Sequence, residues 1–248
     1  MQFAGQPSSM NTRETGANGT YPGYRNWEDP DHMADLAARW NCPRELLGKK
    51  PVSAPEFFEM CAKGQTKLLW NICTNPAVSM IDRQKQLAML QSVFLVVQDC
   101  FANTETVQLA DVVLPSAMWG EKTGCMTNAE RRCTLLQKAV NPPGEARSDL
   151  DIFLDFARRM NLRDADGQPL IGYTDPEGAF DESRADARRD GDDQRVVAEV
   201  GREPAENVGH RLRLHAEQDD VGASNCVTVV FGRPDVQLTL EQLAPLCR

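Results

Sequence analysis

The chain has 248 residues, 41% of them hydrophobic and 25% charged, the make-up of an ordinary globular protein of one large domain or two small ones. Its formal net charge of −9 argues against non-specific binding to nucleic acid, so no nucleic-acid partner is expected. No apolar run approaches the ~20 residues that span a bilayer, and Met1-Gln2-Phe3-Ala4-Gly5 lacks a basic segment followed by an apolar core, so neither a membrane partner nor secretion is expected.

Residues 5–30 are rich in Gly, Pro, Asn, Ser and Thr, which favours turns, yet they hold Tyr21, Tyr24 and Trp27, so the segment is expected to lie against something. Asp29-Pro30-Asp31 reads as the cap of a helix over 33–40, with Met33, Leu36, Ala37 and Trp40 on one face. Ser53-Ala54-Pro55-Glu56 starts a second helix through Phe57, Phe58, Met60 and Cys61. A continuous apolar strand over 68–73 follows, and Thr74-Asn75-Pro76 breaks it. A helix over about 81–92, a strand over 93–97, a short helix over 104–109 and a strand over 112–114 come next. Residues 126–132 read as a turn or hairpin, and Asn141-Pro142-Pro143-Gly144 as a linker. Ser148-Asp149 caps an amphipathic helix over 150–160 with Ile152, Phe153, Phe156, Ala157 and Met160 inward. After Phe180 the chain turns dense in Asp, Glu and Arg, a segment expected to be disordered or loosely helical, with a strand over 225–231 and a short helix over 239–243 beyond it.

Short apolar strands alternating with helices argue for an α/β fold, a mostly parallel sheet with right-handed crossovers and flanking helices, followed by a poorly ordered acidic tail. The eight cysteines include no Cys-x-x-Cys pair, which points to buried free thiols in a reducing, cytoplasmic setting rather than a metal site. His32, His210 and His215 show no ligand spacing, so the expected metal set is empty. Gly16-Ala17-Asn18-Gly19-Thr20 lacks the Gly-Lys-Ser/Thr ending of a phosphate loop, and its formal glycosylation acceptor has no secretory context.

A string of motifs goes further. Gly5-Gln6-Pro7-Ser8-Ser9-Met10 with Arg13-Glu14-Thr15-Gly16, then Tyr21-Pro22-Gly23-Tyr24, Asn75-Pro76-Ala77 and Val97-Gln98-Asp99 come first. Ala110-Asp111-Val112-Val113-Leu114-Pro115, Trp119-Gly120-Glu121-Lys122, Thr127-Asn128-Ala129-Glu130-Arg131-Arg132 and Pro143-Gly144-Glu145-Ala146-Arg147-Ser148-Asp149 follow in order. In spelling and order this stretch, from about Gly5 to Phe180, resembles the molybdopterin-dependent oxidoreductases that include nitrate reductases and formate dehydrogenases. The resemblance implies a lead-in over 1–64, a Rossmann-like domain over 65–180 that grips the guanine dinucleotide tail of a molybdopterin, and a divergent tail over 181–248.

Guanine presents adjacent N–H donors, and an ionised carboxylate accepts both, so Asp99 at a strand end is the candidate for that task. By resemblance Asn75 and Gln98 line the same crevice, Lys122 approaches the polar groups of the nucleotide, and Asp149 adds a contact. Each also has a plain structural reading: Asn75 as a turn residue, Gln98-Asp99 as a helix cap, Lys122 as a solvated loop lysine, Asp149 as an N-cap. Glu130-Arg131-Arg132 reads as a structural ion-pair turn, and no residue is singled out as catalytic.

The resemblance is partial. The clustered cysteines that hold an iron–sulfur cluster, the molybdenum-ligating domain and the carboxyl-terminal barrel are not recognised, so stand-alone turnover is not expected. The cluster belongs to the missing part of the parent enzyme, and a separate chain supplying the missing domains is a possible partner. The composition change suggests a fragment of a nitrate reductase-like gene with a shifted reading frame after residue 180. The small-molecule substrate of the parent reaction is nitrate, reduced to nitrite, with formate oxidation as the alternative. Readings outside that class are a non-catalytic module that binds a nucleotide or a partner protein, and a decayed gene product.

Overall fold

A computed structural model describes residues 15–16, 21–47, 52, 54–127, 133–187 and 229–230. The core is an α/β sheet of three parallel strands, β1 (Leu68–Ile72), β2 (Phe94–Asp99) and β3 (Val112–Pro115), in the order β3-β2-β1. Leu68 pairs with Phe94, and Val96 with Val112. A two-residue strand, Val229–Val230, lies antiparallel on the free edge of β1 and falls within the strand expected over 225–231. The helix expected over 239–243 and most of the acidic tail lie outside the described residues.

Strand side chains alternate between the two faces, and both faces of β1 and β2 are covered, which is why those strands are mostly apolar. On one face Leu69, Leu95 and Val97 pack with Phe57 and Cys61 of α2 (Ala54–Ala62) and with Met89 and Leu90 of α4 (Arg83–Leu90). On the other, Trp70, Ile72, Val96 and Leu114 pack with Ile152 and Phe156 of α5 (Asp149–Met160). Trp70 meets Phe156 edge-on at 5.0 Å and Phe153 at 5.3 Å. On α5, Leu154 is buried as well, a residue the expected inward face did not include. At the start of the outer strand, Asp111 replaces a ladder partner: its carboxylate accepts from the Leu95 N–H at 2.7 Å.

Caps decide the helix starts. The Asp29 side chain accepts from the N–H groups of Asp31 and His32 and opens α1 (Pro30–Arg39), as the sequence suggests. Ser148 Oγ accepts from the Asp151 N–H and opens α5. The helix expected over 81–92 forms as the shorter α4, and one further helical turn that was not expected, α3 (Pro76–Ser79), precedes it. Asp82 stands in the left-handed region at φ 58° and caps α4 through Lys85 N–H, which separates them. Pro76 does end β1, but it also starts a helical turn, because its missing N–H costs nothing at a first position. The short helix expected over 104–109 is a 3₁₀ turn, Val107–Leu109.

Past β3 a second, two-stranded sheet forms. β4 (Gly124–Thr127) pairs antiparallel with β5 (Cys133–Leu136), flanking the expected hairpin, whose tip lies outside the described residues. The last helix among the described residues, α6 (Pro176–Ala187), continues beyond residue 180. Arg25, fully buried, donates to the carbonyls of Pro22 at 2.6 Å and Asp186 at 2.5 Å and to the Asp35 carboxylate, while Trp40 Nε1 donates to Asp186 at 2.8 Å. These bonds tie α6 to α1 and explain why the aromatic-rich lead-in packs. Gly16, in the Arg-Glu-Thr-Gly motif, sits at φ 79°, and a Cβ there would meet Pro22 N at 2.5 Å. Among the described residues no helix is long and apolar enough to cross a membrane.

Candidate functional site

The carboxyl ends of β1, β2 and β3 face one crevice, the position where open α/β sheets take ligands. A cavity of about 300 Å³ lies there. Strand ends contribute Ile72, Cys73, Cys100, Phe101 and Ser116; the loop after β3 contributes Met118, Trp119 and Lys122; β4 contributes Cys125; α5 contributes Asp149 and Phe153.

Three of the expected residues converge. Gln98, fully buried at the end of β2, donates from Nε2 to Asp149 Oδ1 at 2.7 Å. Lys122 Nζ pairs with the other oxygen, Asp149 Oδ2, and the two side chains keep 30% and 27% of their surface open. Asp149 is thus not the cap of α5. Ser148 takes that task, and Asp149, as first helical residue, turns its carboxylate to the crevice, where the helix N-terminus favours negative charge. Gln98 Oε1 is buried with no hydrogen-bond partner.

The other two sit differently. Asp99 is buried beside the crevice, and its Oδ1 accepts from the Phe101 N–H at 3.0 Å, which fixes the turn after β2. Asn75 braces the loops at the ends of β1 and β2. Its Oδ1 accepts from the Thr106 N–H at 3.2 Å and from the Thr106 hydroxyl at 2.6 Å, and its Nδ2 donates to Glu105 at 2.8 Å. That last bond holds the Glu105 carboxyl below its usual range.

Sequence reasoning gave no site role to Cys73, Ser116, Phe101 or Trp119. The signal was positional: Cys73 and Ser116 are the first residues beyond β1 and β3. Cys73 Sγ lies 3.9 Å from Ser116 Oγ. Burial, with the nearby Asp149 carboxylate adding to it, pushes the Cys73 thiol up to about 12. Cys100 is also raised, first by burial and then by Asp99. Both thiols stay protonated at neutral pH, which disarms them as nucleophiles and thiolate ligands.

Chemically the crevice offers one ammonium, one carboxylate shared between two donors, and one unmatched buried acceptor beneath a half-open cavity. Those groups suit a ligand that carries a phosphate and N–H donors. The family model described as molybdopterin oxidoreductase matches residues 7–159, more than half of the chain. The chain belongs to the molybdopterin oxidoreductases. It is 40% identical over 163 residues to a nitrate reductase of Synechocystis sp., covering 64% of this chain and 23% of that protein. To the assimilatory nitrate reductase catalytic subunit of Bacillus subtilis it is 34% identical over 241 residues, covering 96% of this chain and 33% of the relative. To the F420-dependent formate dehydrogenase subunit alpha of Methanocaldococcus jannaschii it is 39% identical over 165 residues, 66% of this chain and 23% of the relative. The chain therefore spans a quarter to a third of the length of these relatives. The Bacillus alignment extends into the acidic segment after residue 180, whereas the family model ends at residue 159.

Proposed function

We propose that the chain is the part of a nitrate reductase-like molybdopterin oxidoreductase that holds the guanine dinucleotide tail of the cofactor. The convergence of Gln98, Lys122 and Asp149 beside the cavity at the parallel strand ends supports this reading. Lys122 supplies the cation for a tail phosphate, and Asp99 with Asp149 supplies carboxylates for the guanine N–H edge. Gln98 and Asn75 act at one remove, Gln98 by holding the Asp149 carboxylate and Asn75 by bracing the loops. In this reading residues 65–180 form a Rossmann-like tail-binding domain, 1–64 a lead-in, and 181–248 a more divergent segment.

When bound, the cofactor supplies two-electron redox chemistry at molybdenum. This chain binds and orients the tail, keeps it from sliding and shields its base from water. Metal ligation and iron–sulfur electron transfer are assigned to segments outside these residues. Nitrate is the substrate favoured, with support from the nitrate reductase relatives and the Arg13-Glu14-Thr15-Gly16 loop. Formate is the second reading, because the formate dehydrogenase relative is 39% identical, nearly level with the 40% of the Synechocystis protein. A cytoplasmic location goes with this reading and rests on the free thiols of the described cysteines.

Equilibrium dialysis of the full chain with labelled GMP and AMP tests the binding role. GMP is expected to bind more tightly, and Asp99→Ala to weaken GMP by about 10- to 100-fold, the worth of a charge-assisted bond. Equal retention of both nucleotides overturns guanine recognition, and unchanged GMP binding by Asp99→Ala removes Asp99 from it. Viologen-coupled assays of nitrate reduction and formate oxidation by the complete enzyme separate the two substrates.

A further inference from the structure

Two large aromatic side chains stand half-open on the cavity. Phe101 is 48% exposed and Trp119 is 59% exposed, and both line it. Elsewhere in the described residues Tyr21 with Trp40, Phe57 with Phe58, and Trp70 with Phe153 and Phe156 pack ring against ring. Phe101 and Trp119 form no such pair among the described residues.

Their positions are fixed by local bonds rather than by burial. Phe101 follows β2, where its own N–H is held by the Asp99 carboxylate at 3.0 Å. Trp119 opens a 3₁₀ turn, Trp119–Glu121, just past β3. That turn is closed by the Glu121 carboxylate, which accepts from the Met118 N–H at 2.8 Å. Since β2 and β3 are neighbours in the sheet, the two rings rise from adjacent strand ends. The same rim carries Lys122, the cation of the cavity, paired with Asp149. Aromatic faces beside a cation and carboxylates are the elements that grip a nucleotide: rings take the base, the cation takes the phosphate.

We infer that Trp119 and Phe101 form the stacking platform for the base of the nucleotide tail. This rests on the nucleotide-binding reading of the cavity and adds to it the residues that hold the flat face of the base. Carboxylates, accepting from its N–H groups, choose guanine by its edge. Stacking is indifferent to the edge and sets the affinity common to all bases.

The test compares the full-length wild type with Trp119→Leu, Phe101→Leu and Trp119→Phe. Equilibrium dialysis measures labelled GMP, and competition measures ribose 5-phosphate, which has the phosphate but no base. Each leucine variant is expected to weaken GMP by about tenfold, to leave ribose 5-phosphate unchanged, and to keep the wild-type GMP-over-AMP ratio. Trp119→Phe is expected to keep most of the affinity. Thermal melts check folding, which both exposed positions should leave intact. If the wild type binds GMP and neither leucine variant weakens it, the stacking inference falls and the binding reading stands. Parallel loss of GMP and ribose 5-phosphate also overturns stacking, since it reports damage to the whole cavity. A wild type that binds neither GMP nor AMP overturns both.

Discussion

Removing the Asp149 carboxylate should expose how the crevice is held together. Asp149→Ala deletes the acceptor of the Gln98 Nε2 bond at 2.7 Å and the partner of Lys122. The two losses differ in size. Gln98 is fully buried and already has an unmatched Oε1, so its amide would lose every described partner, at a cost of about 1.5–3 kcal/mol. Lys122 keeps 30% of its side-chain surface open and rehydrates, so that pair contributes ~0.5 kcal/mol. Loss of negative charge at the first position of α5 adds ~0.5 kcal/mol. The expected destabilisation of Asp149→Ala is about 3 kcal/mol, read by urea unfolding followed by far-UV circular dichroism. Asp149→Asn keeps an acceptor for Gln98 and should lose only about 1 kcal/mol, and Lys122→Met about 0.5 kcal/mol. A cycle with Gln98→Leu isolates the buried bond: in the double variant most of the Asp149→Ala cost should disappear. If Asp149→Ala and Lys122→Met cost the same, the ion pair and not the buried amide organises the crevice, and the reasoning is refuted.

Phe156→Ala should destabilise the chain by about 3–5 kcal/mol, because its ring fills the layer between α5 and Trp70; a loss under ~1 kcal/mol in the same urea assay would show that layer to be loosely packed. Gly16→Ala should lower the melting temperature, since the new Cβ would meet backbone at 2.5 Å in a left-handed conformation; an unchanged melt contradicts the close approach. At Asp35 burial pushes the carboxyl up, but hydrogen bonds from Arg25 and Arg39 outweigh it and hold it below the ordinary value of 3.8. A depressed carboxyl contributes stability that is complete above 3.8 and lost as pH falls through the lower, folded value, so Asp35→Asn should flatten the fall in stability below pH 3.8 in acid titrations. The Cys73 thiol, pushed up to about 12, should react with iodoacetamide at pH 8 at least tenfold more slowly than a free cysteine, whose pKa is about 8.5, as read by peptide mass mapping; a rate equal to that of free cysteine would contradict its burial.

Much of the fold was legible because strands covered on both faces are written as apolar runs. β1 and the 94–97 run of β2 announce themselves by that apolar character, broken only by Asn71, and Asp29 and Ser148 announce the helices they cap. The misses have physical causes. α3 is a single turn of four residues, too short to leave a periodic pattern, and Asp82, in a left-handed backbone, divides it from α4. β4 and β5 are short, half-exposed and rich in small or polar residues, so their pairing depends on each other and leaves no apolar run. α6 is held by Arg25 and Trp40, residues far away in sequence, and its own weakly apolar composition did not give it away.

The candidate site followed the same division. Gln98 and Asp99 were visible as a polar pair ending a buried strand, and β2 carries them to the crevice edge. The partnership of Gln98 with Asp149 was not, since it spans 51 residues of sequence and depends on α5 packing its N-terminus toward the end of β2. Asp149 seemed equally suited to capping, and Ser148 decides the matter: a hydroxyl one residue earlier takes the cap and frees the carboxylate for Gln98 and Lys122. That one-residue offset links local helix chemistry to the crevice. Exchanging the residues at 148 and 149 would return the carboxylate to the cap and leave Gln98 and Lys122 facing a short hydroxyl. Packing of α5 through Ile152 and Phe156 would persist, so the fold should form with its crevice unassembled.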